Sequence, residues 1–508
     1  MSGIIASRGR IDPEQGERML DRLVHRGPDG SGSAVVGESW LGHRWLAIVE
    51  DSQQPIRSEA AGLTLIADGE VYNAAELRDA CGDVAFATRD TVETALHLYA
   101  TSGPEAFAEM DGQFALVTAG DDGRFVAARD PFGLKPLFWA RRDRQTLFAS
   151  ELSAYDEDWM PLAEFFPPGH YWTPQEGLVR FAYAVPDAPA MATPFERPEE
   201  EGDPIPEEIL ERVRKELEEA AEQQMMGNAP IGAFLSGGLD SSVIAALAAR
   251  WCEQCGQRLK TFAVGFEGAP DLAAARVVAS HLGTDHYEKT YTADEALEVL
   301  PEVVLALENF DPSLVRSSVS NYIVAELAAQ HVKVVLCGEG ADEIFGGYHY
   351  LKEFDSEEAL HAELVRGIEG GHNGGFQRVD RTTMIHSLQA RMPFMARDNI
   401  ALGFAIPAAW KLASDVMPEK HVLREAFQGW LPHDILSRKK AQFGEGSGAV
   451  DVLQERMTES VTEEELQRER DVVAPPLRTR EELAYYRIFA EHFPGAQAEK
   501  VVGRFVTA

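Results

Sequence analysis

The sequence predicts two domains of different class: a sheet-rich layered domain up to residue 185 and an α/β domain with a parallel sheet from residue 207 onward. Three observations predict this. Short alternating runs broken by glycine turns fill the first part, a Pro-, Ala- and Glu-rich stretch without periodicity follows over Pro186–Pro206, and apolar strands then alternate with longer amphipathic helices.

In chain order, period-two alternation and β-rich composition predict strands over Ser39–Val49, Leu63–Tyr72, Gln113–Thr118, Arg124–Ala128, Thr146–Ala149 and His170–Thr173. Helices are expected near Pro13–Val24 and Thr91–Thr101. Residues 186–206 read as an exposed linker, because nothing in them repeats with the period of a helix or strand. Glu207–Gln224 then places Ile209, Val213, Leu217 and Ala220 on one face, the pattern of an amphipathic helix. Three apolar strands, Pro230–Leu235, Lys260–Gly265 and Lys333–Cys337, each run into a Gly-rich or acidic loop. Parallel sheets bind ligands at the carboxyl ends of their strands, so these loops are where a site is expected.

Composition bounds the function. At 508 residues and 45% hydrophobic the chain can bury two to four cores. Its net charge of −36 argues against nucleic acid or an anionic membrane surface as partner. A nucleotide stays open, because a few local N–H groups and cations hold a small phosphate whatever the net charge. The apolar stretches stop short of the roughly 18–20 residues of a membrane span, and no basic-then-apolar leader opens the chain, so a cytoplasmic location is expected. Cys81, Cys252, Cys255 and Cys337 are too few for a disulfide scaffold.

The sharpest motif is Ser236-Gly237-Gly238-Leu239-Asp240-Ser241-Ser242, between an apolar strand and the Ala-rich helix Val243–Arg250. Glycines let backbone approach a phosphate chain, hydroxyls add donors, and a helix start adds free N–H groups and a positive dipole end. Asp240 there suits a metal ion. Cys252-x-x-Cys255 lacks a second metal-like pair, His386 reads as a packed helix residue, and Glu463–Glu465 as a solvated helix face.

The seven-residue run is similar to the pyrophosphate loop of the N-type ATP pyrophosphatases, and the rest of the chain resembles asparagine synthetase. The resemblance is carried by Thr261–Leu282, Gly338–Tyr348, Val379–Phe394 and Lys420–Gln442, and earlier by His25–Asp29, Gly69–Asn73 and Arg129–Leu137. It implies an N-terminal nucleophile-type αββα sandwich, related to type 2 glutamine amidotransferases, followed by an ATP-pyrophosphatase (adenine nucleotide α-hydrolase) domain. It also implies ATP and Mg²⁺ as cofactors. Asp240 and Asp342 match the magnesium-holding acids; Ser236, Gly237, Gly238, Asp240 and Ser241 match the pyrophosphate cradle; Leu235, Val264, Gly265 and Gly340 match adenosine positions. Lys440 matches a lysine on the triphosphate, where a cation offsets charge on the leaving pyrophosphate. Arg316, with Ser318, matches the acceptor pocket, where a guanidinium can pair both oxygens of a carboxylate.

Several positions depart from the family. Pro312-Ser313-Leu314 stands where paired threonines are usual, and Gln389 replaces a glutamate expected near the acyl-adenylate and attacking nitrogen, where an amide cannot act as a base. In the amidotransferase-like pocket the nucleophilic cysteine is Ser2, the carboxylate-gripping arginine aligns with Trp45 beside Arg44, and the oxyanion-hole asparagine is Asp68 beside Gly69. The amine-binding aspartate falls on Thr91, with Asp90 one residue away. Together these changes predict that glutamine is not hydrolysed there.

The expected function is an AMP-forming amide ligase that adenylates a small carboxylate, aspartate as first choice, and passes it to a nitrogen donor, with a homodimer left open. One alternative is a specialised-metabolism ligase resembling β-lactam synthetase, although Glu339 stands where that relative has tyrosine. Another is a non-catalytic nucleotide or amino-acid sensor, against which Asp240, Asp342 and Lys440 argue together.

Overall fold

Alternation along each early strand decides how the N-terminal layers form. In Leu63–Val71, Ile66 faces one side and Leu65 and Ala67 the other, and all are buried, so this sheet must be covered on both faces. The computed structural model describes residues 2–49, 53–185, 195, 203–354, 356–413, 417–439 and 450–504. Two six-stranded antiparallel-paired sheets stack face to face. One runs Ala163–Phe165, Phe138–Arg142, Gln145–Ala149, Ser2–Arg8, Ser39–Trp45, Gly30–Val36; the other runs Gly177–Arg180, His170–Thr173, Phe125–Arg129, Gly112–Gly120, Leu63–Val71, Ile56–Ser58. Ile4, Leu41, Ile66, Val117, Phe148 and Phe166 share the core between them. Pro13–Asp21 packs outside the first sheet and Glu93–Ser102 outside the second, which completes the αββα order.

From Glu207 onward the architecture becomes a five-stranded parallel sheet, ordered Asp285–Thr290, Lys260–Gly265, Ile231–Phe234, Val334–Leu336, Gln389–Arg391. The chain starts at the centre, builds to one side, then crosses to the other. The order therefore reverses between Ile231–Phe234 and Val334–Leu336, and a crevice opens at such a reversal. Glu207–Gln224 buries Ile209, Val213, Leu217 and Ala220, as its periodicity predicts. Glu463–Glu465 opens an acid-rich helix behind a Thr462 capping box. His386 follows the helix Gly375–Met384 instead of lying within it, packed 4.3 Å from the Tyr322 ring. Of the linker expected over 186–206, only residues 195 and 203–206 are described, and none of these is in a helix or strand. Among the described residues no helix is long and apolar enough to cross a membrane.

Candidate active site

The strand Ile231–Phe234 ends on Leu235, whose N–H donates to the Phe262 carbonyl at 2.9 Å. Gly237 then turns with φ +73°, and its Cα lies so close to the helix Pro270–Leu282 that a Cβ would sit 2.5 Å from the Ala274 backbone. Only glycine meets both demands. Gly238 caps the helix Leu239–Gln254 in an extended conformation. The Ser236 and Ser241 hydroxyls lie 3.0 Å apart, the Ser236 N–H donates to Ser241 Oγ at 3.2 Å, and the Gly238 N–H leans on Ser236 Oγ at 3.3 Å. The result is a cluster of hydroxyl and N–H donors at the positive end of a helix, which suits a phosphate chain.

Two carboxylates face this loop. Asp240 lies in the first turn of Leu239–Gln254, and Asp342 in the short helix Ala341–Phe345 that follows Gly340 at φ +96°. They converge on the buried Lys420, whose Nζ is 2.5 Å from Asp240 Oδ2 and 2.5 Å from Asp342 Oδ1. Burial alone would lower the Lys420 pKa, but the two carboxylates outweigh it and hold the ammonium charged. The ammonium marks a point where two hard oxygen donors meet one cation, so the pair fits Mg²⁺ chemistry. Lys440 lies outside the described residues.

A cavity of about 820 Å³ opens from here, the size of a substrate cleft. Leu235, Ser236, Gly238, Asp240, Ser241, Val264, Gly340 and Asp342 all line it. Gly237 and Gly265 are not among its lining residues; Gly265 backs onto Ala269 and Leu272. Arg316 reaches the wall, but its Nη1 is already paired with both Glu481 oxygens, at 2.7 and 2.6 Å. Ser318 is buried and donates to the Leu314 carbonyl at 2.6 Å. Glu339 lines the cavity bound to Arg378, and Glu343, pushed up to about 7 by burial and then by Asp342 and Glu339, accepts from the Tyr348 hydroxyl at 2.7 Å. Gln389 does not line the cavity. It is fully buried on the strand Gln389–Arg391, so the acceptor-side role expected for it lacks geometric support. Sequence reasoning missed Lys420 and Arg378. Lys420 stood inside a recognised segment, yet a lysine at a helix start has no pattern of its own.

The amidotransferase-like pocket is differently occupied. Ser2 is buried, and its N–H donates to Asp68 Oδ1 at 2.9 Å. The other Asp68 oxygen accepts from Arg26 at 2.7 Å, so residue 68 presents a paired carboxylate where an oxyanion would need a donor. Gly69 keeps φ +142°, against the Gln113 carbonyl. The Arg44 guanidinium is bound to Asp21 and the Leu20 carbonyl, and Trp45 packs its ring over Gly30. Asp90 is pushed up to about 6 by burial and then by Glu70, and accepts from Gln54 at 3.0 Å. Thr91 donates to Glu70 at 3.1 Å. The expected serine, carboxylate and threonine do gather in one region, where the Ser2 N–H, both Asp68 oxygens and the Thr91 hydroxyl are engaged by the protein.

Known proteins resemble the chain over nearly its whole length. The asparagine synthase family profile matches residues 212–361 and 352–504, and the glutamine amidotransferase domain profile matches residues 1–164. Asparagine synthetase [glutamine-hydrolyzing] 3 of Arabidopsis thaliana is 35% identical over 99% of this chain and 89% of its own length. A probable asparagine synthetase [glutamine-hydrolyzing] of Schizosaccharomyces pombe is 36% identical over 95% of this chain and 90% of its own. Among solved structures, the glutamine phosphoribosylpyrophosphate amidotransferase of B. subtilis with ADP and GMP covers 53% of this chain and 67% of its own, with 22% identity and TM-score 0.31.

Proposed function

Since the chain belongs to the asparagine synthetase family of ATP-dependent carbon–nitrogen ligases, we propose that its cavity turns a small carboxylate, aspartate as first choice, into an acyl-adenylate and passes the acyl group to ammonia or another amine. The observation that carries this reading is the convergence of Asp240, Asp342 and Lys420 beside the Ser236–Ser241 loop. A substrate carboxylate oxygen attacks the α-phosphorus of ATP, the bond to the β-phosphate oxygen breaks, and pyrophosphate leaves. The nitrogen then attacks the acyl carbon, loses a proton, and AMP departs.

Each step asks for charge stabilisation. The loop N–H groups and hydroxyls hold the leaving pyrophosphate, and Lys420 offsets the charge it gains, a role the family resemblance implies for Lys440 as well. Asp240 and Asp342 would hold Mg²⁺, which neutralises the triphosphate when bound. Leu235, Val264 and Gly340 take the adenosine.

The same reading divides the chain into an altered amidotransferase-like domain (1–185), a linker (186–206) and a synthetase domain (207–508). The engaged Asp68 and Arg44 support a nitrogen supply that bypasses glutamine. The test is pyrophosphate and AMP release from ATP and Mg²⁺ over a panel of carboxylates with ammonium. Release that depends on the carboxylate and disappears in Asp240→Asn is expected; release without any carboxylate would overturn the ligase reading.

A further inference from the structure

Arg26 is fully buried where the two halves of the chain meet, and four groups surround it. Its Nε donates to the Ser2 carbonyl at 2.9 Å, Nη2 to Asp68 at 2.7 Å, and Nη1 to Glu151 at 2.8 Å and Asp380 at 3.0 Å. Asp380 takes a second cation, Lys135, at 2.7 Å, while its neighbour Arg381 pairs with Glu151 at 2.9 Å and Glu308 at 3.0 Å. All seven side chains are at least nine-tenths buried. Asp380 and Arg381 both lie on the helix Gly375–Met384, the helix that also presents Arg378 to the cavity. Thus charges from the N-terminal half grip a helix that also lines the cavity, with Asp380 turned away from Arg378 and Arg381 one turn beyond it.

We propose that the N-terminal half, with Asp68 paired to Arg26, serves as an ionic brace that positions Gly375–Met384 and so sets where Arg378 and its partner Glu339 stand in the acceptor-binding part of the cavity wall. Arg26 and Asp68 are then positioning residues, acting through Asp380. Buried ion pairs contribute little net stability against their desolvation cost, but losing one partner strands a buried charge and shifts what it held. Asp68 is the member that ties the cluster to the start of the chain, through the Ser2 N–H. This assignment rests on the reading of the cavity as an acyl-adenylating site.

The experiment compares the full chain with Asp68→Asn, which keeps the shape and removes the charge, and with Arg26→Lys. Two readouts are taken: amide hydrogen exchange in peptides covering 375–384 and 239–254, and steady-state constants for acceptor and for ATP. The brace predicts faster exchange confined to 375–384. It also predicts acceptor kcat/KM lower by about 10- to 100-fold, mainly through KM, with the ATP constant unchanged, because misplacing a binding group by about 1 Å costs that much. Unchanged exchange in 375–384, exchange raised everywhere, or kcat falling with both KM values fixed would overturn it. If the unaltered chain releases no pyrophosphate with any acceptor, the cavity reading fails by itself, and the exchange pattern alone decides the brace.

Discussion

Asp240 and Asp342 lie close enough to share one ammonium, so removing either charge should do more than weaken a contact. Asp240→Asn or Asp342→Asn is expected to abolish pyrophosphate release at saturating Mg²⁺ while far-ultraviolet circular dichroism stays native; normal turnover would remove both from the site. Asp380 makes a second residue-level case. Burial would raise its pKa, but Arg26, Lys135 and Arg381 outweigh burial and bring it down to about 2 from an ordinary 3.8. A carboxylate depressed on folding stabilises the protein above its unfolded pKa and loses that contribution as pH falls through the folded one. Asp380→Asn should therefore cost about 3–5 kcal/mol near neutrality, the usual penalty for breaking a buried pair. The difference from the parent should shrink between about pH 4 and pH 2 in denaturant titrations. A pH-independent difference would remove the ionic interpretation.

At the scale of elements, the loop Ser236–Ser241 depends on a backbone only glycine allows. Gly237→Ala forces a side chain into φ +73° against Ala274, so the loop must move off the helix Pro270–Leu282. A rise of about tenfold or more in the ATP constant is expected in initial-rate assays, from loss of donor alignment. An unchanged constant would show that the loop does not hold the phosphates. The same loop was legible in the sequence because the whole unit is contiguous: strand, glycines, hydroxyls, helix. The central strands were legible too, since Lys260–Gly265 and Ile231–Phe234 are apolar and end in punctuating loops. Asp285–Thr290 was not, because its DHYEKT run is half-buried at a sheet edge and follows no period-two pattern. Gln389–Arg391 was too short at three residues, and Gly30–Val36 builds its alternation from Gly, Ser and Ala, without hydrophobic contrast.

For the whole molecule, the least legible feature is the contact between halves. Arg26 and Asp380 are 354 positions apart, and neither carries a local signal that it will meet the other. Ser2, Trp45, Asp68 and Thr91 were legible as departures from a family pattern, but only the fold reveals that Asp68 is bound by Ser2 and Arg26. Losing one oxyanion donor typically lowers turnover by about 100- to 1,000-fold, so a pocket that also lacks the usual nucleophile should be silent towards glutamine. The most direct measurement incubates the full chain with ATP, Mg²⁺ and the accepted carboxylate, supplied in parallel with glutamine or with ammonium, and quantifies glutamate and AMP. AMP is expected with ammonium and no glutamate above background with glutamine; glutamate produced in step with AMP, and abolished by Ser2→Ala, would instead show that Ser2 is a live nucleophile fed by glutamine.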